Sequence, residues 1–427
     1  GKIERECVKL AVTEAKAHGY EDLNDVIAAG KTLKAGDKVY SVCMGKTLAM
    51  FQIGEEPLEN GMNIVGAHID SPRIDLKQNP LYEDNDMAMF DTHYYGGIKK
   101  YQWVALPLAL YGVVAKKDGT TVDIAIGDDH GDPVFGISDL LPHLAREQMA
   151  KTAAKIIEGE DLNLLIGSIP VKGEEKEAVK KNILAILKEK YDIEEDDFIS
   201  AELEVVPAGA ARDYGFDRSM IMGYGHDDRV CAYPSYKAMF ELGSVKRTAV
   251  CLLVDKEEIG SVGATGMTSF YFENTVAEVI NACGDYSDIK VRRALNNSRM
   301  LSSDVSAGFD PNYPSVMEKN NSAFLGKGLT FNKYTGSGGK SGSNDANAEY
   351  VALVRKIMDD ADVTWQTAEL GKVDVGGGGT IAYLMAKYGM NVIDSGVPVL
   401  SMHAPWEIIS KADLYEALKG YIAFLNA

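Results

Sequence analysis

Apolar positions in the opening segment GKIERECVKLAVTEAKAHGY recur at helical spacing with charges between them, which predicts an amphipathic helix at the start of the chain. The second half alternates such helix-period segments with short β-branched apolar runs, the pattern of an α/β domain with an at least partly parallel sheet. Strands are predicted at 63–69 (NIVGAHI), 248–253 (TAVCLL), 391–393 and 397–400, and helices at 345–360, 380–388 and 411–426. The last of these reads as a docking helix over the core.

The middle of the chain has a different texture. From 81 to 207, short apolar alternations are broken by turn signals (KKDGTT, GDDHGDP) and by one strongly charged helix pattern, GEEKEAVKKNILAILKEKYDIEEDD. That shift predicts an inserted β-rich unit carrying a helix with one wet face. There is no internal repeat.

Length and composition narrow the classes. The 427 residues, 46% of them hydrophobic, are enough for two or three domains and a sizeable core. Lys and Arg number 44 against 63 Asp and Glu, a net charge of −19, so no basic face for nucleic acid is expected. No apolar run approaches the roughly 20 residues that span a bilayer, so no membrane partner is expected. Cys7, Cys43, Cys231, Cys251 and Cys283 are odd in number and form no C-x-x-C pair, which favours a reducing cytoplasm over a disulfide framework. The opening helix pattern is not a secretory leader. The chain begins on Gly1 rather than Met, which leaves its true start open.

Glycine clusters at 336–342 (GSGGKSG) and 376–379 do not make a nucleotide site. The phosphate-loop pattern needs glycine where Tyr334 stands, and Ser341 occupies the last glycine of a dinucleotide fingerprint.

The seven histidines can be weighed singly. His18 reads as a capping or surface residue and His130 as part of a polar turn, while His93 could line a site or pack under one. His68 is more informative. It closes the strand pattern IVGAHID, where period-two alternation puts His68 and Asp70 on one side, and a metal-bound imidazole needs such a carboxylate to fix its tautomer. A buried structural His–Asp pair is an equal reading of that motif alone. Further acids and a histidine stand at the ends of other apolar runs: Asp227 in GHDDR, Glu257 and Glu258 after TAVCLLV, Asp304 after RMLSS, and His403 after VPVLSM. Strand carboxyl ends in α/β sheets face the ligand crevice. Adjacent Glu257 and Glu258 repel each other unless a cation or proton is near. Carboxylates mixed with imidazoles suit Zn²⁺, Co²⁺ or Mn²⁺ rather than Mg²⁺ or Ca²⁺.

Taken in order, AHIDSPRIDLK (67–77), YGG (95–97), HDDRVCA (226–232), DKEEIGSVGATG (255–266), LSSDVSAGFDPNYP (301–314), GTIA (379–382) and DSGVPVLSMHAPWE (394–407) resemble the aspartyl aminopeptidase/aminopeptidase I family of co-catalytic zinc exopeptidases. The resemblance runs from ERECV to the C-terminal helix. It implies a discontinuous catalytic α/β domain at 1–80 and 220–427, with a mixed central sheet flanked by helices, interrupted by a β-rich dimerisation domain at 81–219. It implies two divalent ions per subunit, zinc first and cobalt or manganese as alternatives: His68 and Asp304 on one, Glu258 and His403 on the other, Asp227 bridging. Glu257 becomes the general base toward the attacking water and Asp70 the partner of His68. The family's members hydrolyse peptides and assemble from dimers into a tetrahedral dodecamer. A related two-metal hydrolase, glutamyl aminopeptidase-like or a deacylase, and a non-catalytic peptide-binding relative are the alternatives.

The chain also departs from the family. The second histidine usual after Pro-His-Leu is absent beyond Pro142-His143-Leu144, leaving His143 or another residue as the substrate-contacting candidate. The Trp-x-Asp-Arg-like stretch after YGG reads QWVAL. The basic side chain that meets acidic N-terminal residues has only Lys333 and Lys340 as counterparts, so an acidic or a neutral preference stays open.

Overall fold

The computed structural model describes residues 1–284 and 286–427. Its centre is a nine-stranded mixed sheet, in spatial order Glu21–Asp22, Lys38–Cys43, Thr47–Gln52, Ala249–Val254, Asn63–His68, Arg299–Ser303, Asn391–Gly396, Leu329–Asn332 and Trp365–Thr367. The four strands from Ala249–Val254 to Asn391–Gly396 run parallel. Their continuous apolar sequence follows from burial on both faces, as parallel strands require. In AVCLLV, Ala249, Cys251 and Leu253 pack with helices Glu4–Ala17, His226–Phe240, Ala348–Asp360 and Lys411–Leu425. Val250, Leu252 and Val254 pack on the other side with helices Leu23–Ala28, Tyr271–Ala282 and Asp288–Asn296.

A second, wholly antiparallel six-stranded sheet runs Thr121–Ile126, Leu108–Ala115, Ala201–Pro207, Arg73–Asp84, Met87–Tyr95, Leu164–Gly167. It has its own apolar cluster around Ile74, Trp103, Leu108, Phe198 and Val205. The charged helix forms at Ala178–Tyr191, with Val179 its buried residue. A five-stranded sheet, Arg212–Tyr214, Met220–Gly223, Glu407–Ser410, Pro398–Leu400 and Ser306–Ala307, flanks the first. Residue 80 falls within strand Arg73–Asp84, and residue 219 falls between the two strands of the hairpin that opens this third sheet. The ladder of the second sheet therefore spans Arg73 to Pro207. Among the described residues no helix is long and apolar enough to cross a membrane.

The two larger sheets are tied by a buried charge cluster. Arg73 is 6% exposed, and its Nε lies 2.8 Å from Asp75 Oδ1 and 3.1 Å from Glu204 Oε2, with Nη1 3.9 Å from Glu4 Oε2. Arg73 thus offsets acids from the first helix and from two strands of the second sheet, and Lys46, in the turn between strands Lys38–Cys43 and Thr47–Gln52 of the first sheet, lies 3.8 Å from Glu4 Oε1. Breaking a buried ion pair leaves uncompensated charge, so Arg73→Ala is expected to lower stability by about 3–5 kcal/mol. A denaturant midpoint equal to that of the unaltered chain would show that this cluster contributes nothing to stability.

Candidate active site

The carboxyl ends of the parallel strands meet at one cleft of about 430 Å³, lined by His68, Asp227, Glu257, Glu258, Asp304, Asp394 and His403, with Asn332, Leu370, Gly377–Gly379, Tyr383 and Met402 around them. His68 ends its strand and Asp304 follows Ser303. After Val254 the chain turns through Lys256, which has a left-handed φ of 69°, into the 3₁₀ turn Glu257–Ile259. His403 also holds a positive φ, 63°, a conformation that clusters at functional sites when it occurs in non-glycine residues. Gly396 lets its strand approach closely, because a Cβ there would collide with the Asp304 carbonyl.

Asp227 sits between the two imidazoles. Its Oδ1 lies 3.1 Å from His68 Nε2 and its Oδ2 lies 3.3 Å from His403 Nε2. Glu258 Oε1 is 3.5 Å from His403 Nε2, and Glu257 Oε2 is 4.0 Å from His68 Nε2. Two sets of atoms stand close enough to share an ion: His68 with Asp228 and Asp304, and His68 with Asp227 and Glu258. Asp228 belongs to the HDDR motif, which on its own assigns it no role. It is fully buried, and neither of its carboxylate oxygens makes a conventional hydrogen bond among the described residues.

The groups behind these are equally ordered. Asp70 Oδ1 lies 3.3 Å from His68 Nδ1, and its carboxylate accepts the backbone N–H groups of Glu257 and Glu258 at 3.1 and 3.2 Å. Glu407 accepts the backbone N–H of Asp227 at 3.0 Å and of His403 at 2.8 Å, holding the two loops together. Sequence reasoning misses this role, although the four-residue spacing from His403 is visible. Asp394, also missed, accepts a bond from Thr380 Oγ1 at 2.6 Å.

Electrostatically the carboxylates of the cluster outnumber its two imidazoles. Burial first, then the neighbouring Asp227 and Asp70 carboxylates, raises Glu257 to about 7, against the pull of His68 and His403. Burial and neighbouring carboxylates likewise push Glu258, Asp228 and Asp304 well above the usual range. Asp227 is held below it, because hydrogen bonds from His403 and His68 outweigh its burial. His403 is raised to about 10 by Asp227 and Glu258 despite burial. Buried acids crowded in this way call for bound cations. The donor set of imidazole and carboxylate suits zinc, and a base near neutrality beside it suits proton transfer to and from water.

All of His68, Asp70, Asp227, Glu257, Glu258, Asp304 and His403 thus come together. His143 does not: within one chain it is exposed on the second-sheet unit and is not among the residues lining the cleft. Lys333 and Lys340 both pair with Asp345, and neither lines the cleft. His18 caps the first helix and stacks on Phe240 with ring centroids 4.1 Å apart, and His130 lies in a turn.

A family model described as aminopeptidase I zinc metalloprotease (M18) matches residues 2–425. The chain is 67% identical over 426 residues to a probable M18 family aminopeptidase 1 of Clostridium acetobutylicum, covering 100% of this chain and 92% of that relative. A probable M18 family aminopeptidase 1 of Thermotoga maritima is 48% identical over 426 residues, covering 100% and 93%. The crystal structure of aminopeptidase I from C. acetobutylicum superposes with a TM-score of 0.94 at 65% identity, covering 100% of this chain and 92% of that one. Likeness of fold extends to a structure described as the mApe1 dodecamer of S. cerevisiae, with TM-score 0.79 and 20% identity, covering 99% and 93%.

Proposed function

Since the chain belongs to the aminopeptidase I zinc metalloprotease family (M18) and is a metalloprotease with aminopeptidase activity, we propose that it works with two divalent ions, zinc by preference, and with Glu257 as general base. The observation that carries this reading is the Asp227 carboxylate, which offers one oxygen to each imidazole at 3.1 and 3.3 Å. His68 and Asp304 would hold one ion, Glu258 and His403 the other, and Asp227 both. The buried, unsatisfied oxygens of Asp228 and Glu258 fit a site that receives cations, and Asp228 stands near enough to His68 and Asp304 to add to the first ion's shell. Ions bound there would polarise the scissile carbonyl and make water easier to deprotonate.

The chain's own groups do the rest. Glu257 Oε2 faces the cleft beside His68, takes the proton of the attacking water and delivers it to the leaving amine. Asp70 holds the turn of Glu257 and Glu258 through two backbone N–H groups, so the base and the neighbouring ligand move as one piece. The free α-ammonium of the peptide is met by the carboxylates around the ions, which explains an exopeptidase. Hydrolysis of matched peptides with free and acetylated N-termini, by metal-stripped and zinc-restored protein, tests this reading. Restored cleavage of the free-amine peptides alone is expected, and cleavage of the acetylated ones would make the protein a deacylase.

The cleft also supports a reading of its substrates. Among the described residues no Lys or Arg lines it, while Val305, Leu370, Tyr383 and Met402 do, so an acidic N-terminal side chain would enter a site rich in carboxylates with no Lys or Arg of its lining to meet it. Peptides beginning with Leu or Met are therefore expected to have kcat/KM at least 10-fold above those beginning with Asp or Glu, a difference of about 1.4 kcal/mol. The reverse ranking in a peptide panel would show that a cation reaches the cleft from elsewhere.

We further assign self-assembly to the six-stranded unit. Leu140, Leu141, Leu144 and Met149 stand exposed on it, an apolar set of the kind that marks interfaces, and the likeness in fold to the structure described as the mApe1 dodecamer accords with a homo-oligomer.

A further inference from the structure

The YGG motif at 95–97 lies at the end of strand Met87–Tyr95 in the second sheet. We propose that Tyr95, Gly96 and Gly97 are the positioning element for both halves of the metal centre, so that the second sheet completes the active site of its own chain. The inference rests on the two-ion reading above.

Three contacts carry it. The Tyr95 hydroxyl donates to Asp70 Oδ2 at 2.8 Å, while Asp70 meets His68 Nδ1 with its backbone carbonyl at 3.0 Å and with its other carboxylate oxygen at 3.3 Å. Gly97 O stands 3.0 Å from His403 Nδ1. Between them Gly96, at φ 76°, brings its backbone so near Glu258 that a Cβ would lie 3.3 Å from the Glu258 Cβ. Both imidazoles therefore have Nδ1 engaged by a fixed acceptor, which leaves each Nε2 turned toward Asp227. Acceptors of this kind set the tautomer and ring orientation of metal-binding histidines.

The element is itself braced. Arg73 is the register partner of Tyr95 in the antiparallel ladder, and its guanidinium lies 3.8 Å from the centroid of the Tyr95 ring. That places a cation against the ring face, in the cation–π range, and Asp75 and Glu204 hold the guanidinium in turn. The chain leaves the site through Asp70, Ser71 and Pro72, enters the second sheet at Arg73 and returns at Tyr95–Gly97. A shift of that strand pair would be felt at both imidazoles.

Zinc titration by calorimetry of the stripped full-length chain, with melting of the stripped form measured alongside, tests the proposal. Tyr95→Phe keeps the ring under Arg73 and removes the hydroxyl alone. It is expected to weaken one of two ions by roughly 10–100-fold, the range for loss of an outer hydrogen-bond partner, and to lower kcat more than it changes KM. Gly97→Ala crowds His403 Nδ1, to which a Cβ would come within 3.3 Å, and is expected to weaken the other ion. In a His403→Ala background, Tyr95→Phe should still weaken the remaining ion, whereas Gly97→Ala should add nothing. The stripped variants should melt with the unaltered chain. Two ions bound with unchanged affinity in both variants would overturn the proposal, and so would equal weakening of both ions together with a lowered melting temperature of the stripped protein. Fewer than two ions on the unaltered chain would instead overturn the two-ion reading. Should one variant fail to fold, the other still decides its own half of the claim.

Discussion

Glu257→Gln is expected to bind two ions as the unaltered chain does and to lose about 10²- to 10⁴-fold in kcat, the usual worth of a positioned general base. The substitution keeps the shape of the side chain and removes its capacity to take a proton. Its neighbour Glu258, not Glu257, faces His403 at 3.5 Å, so the ligand set stays intact. KM should change little, because the interaction lost is one made with the water that attacks rather than with the peptide. Steady-state kinetics with metal analysis checks this, and near-normal turnover would remove Glu257 from the mechanism.

Asp227→Ala is expected to be at least as severe, through a different cause. His68 and His403 both direct Nε2 at this carboxylate, and Glu407 and Ser71 fix its backbone at 3.0 and 2.7 Å. Without it both ions lose a ligand at once. Occupancy should fall for both ions by more than the roughly 10–100-fold that an outer partner is worth, and turnover should vanish with it. Asp228→Ala, by contrast, should weaken only the ion beside His68 and Asp304. Loss of a single ion from Asp227→Ala would assign the carboxylate to one side of the site.

Much of this site is legible in the sequence, and for a physical reason. The central strands show as unbroken apolar runs because both faces are buried, and His68, Glu257, Glu258 and Asp304 end or follow such runs because strand ends deliver side chains to the crevice. Asp227 instead opens helix His226–Phe240, and His403 follows Pro398–Leu400 of the five-stranded sheet. The ends of elements are less legible where side chains compete with the backbone. The helix predicted at 380–388 forms only at Ala382–Ala386, since Thr380 spends its hydroxyl on Asp394 and accepts the N–H of Ala382. The helix predicted from 345 begins at Ala348, because Asp345 pairs with Lys333 and Lys340 instead. The strand predicted to end at 393 continues to Gly396, its polar Asp394 and Ser395 laddered to Asn332 and Phe331. Tyr95 and Asp228 give no local signal of their role, and Glu407 gives only its four-residue spacing from His403. They act across the fold: Tyr95 reaches Asp70 from another sheet, and Glu407 ties the His403 turn to Asp227, which lies 180 residues from Glu407 in the sequence.

Two-ion catalysis is tested most sharply by titrating the metal-stripped chain with zinc while bound ions and hydrolysis of a free-amine leucyl substrate are followed in one sample. No turnover at the start, two ions bound per chain at the end, and activity that rises with their binding are expected. Turnover by the stripped protein, or full activity with a single ion bound per chain at saturation, would show that the chemistry does not depend on a pair of ions held by Asp227.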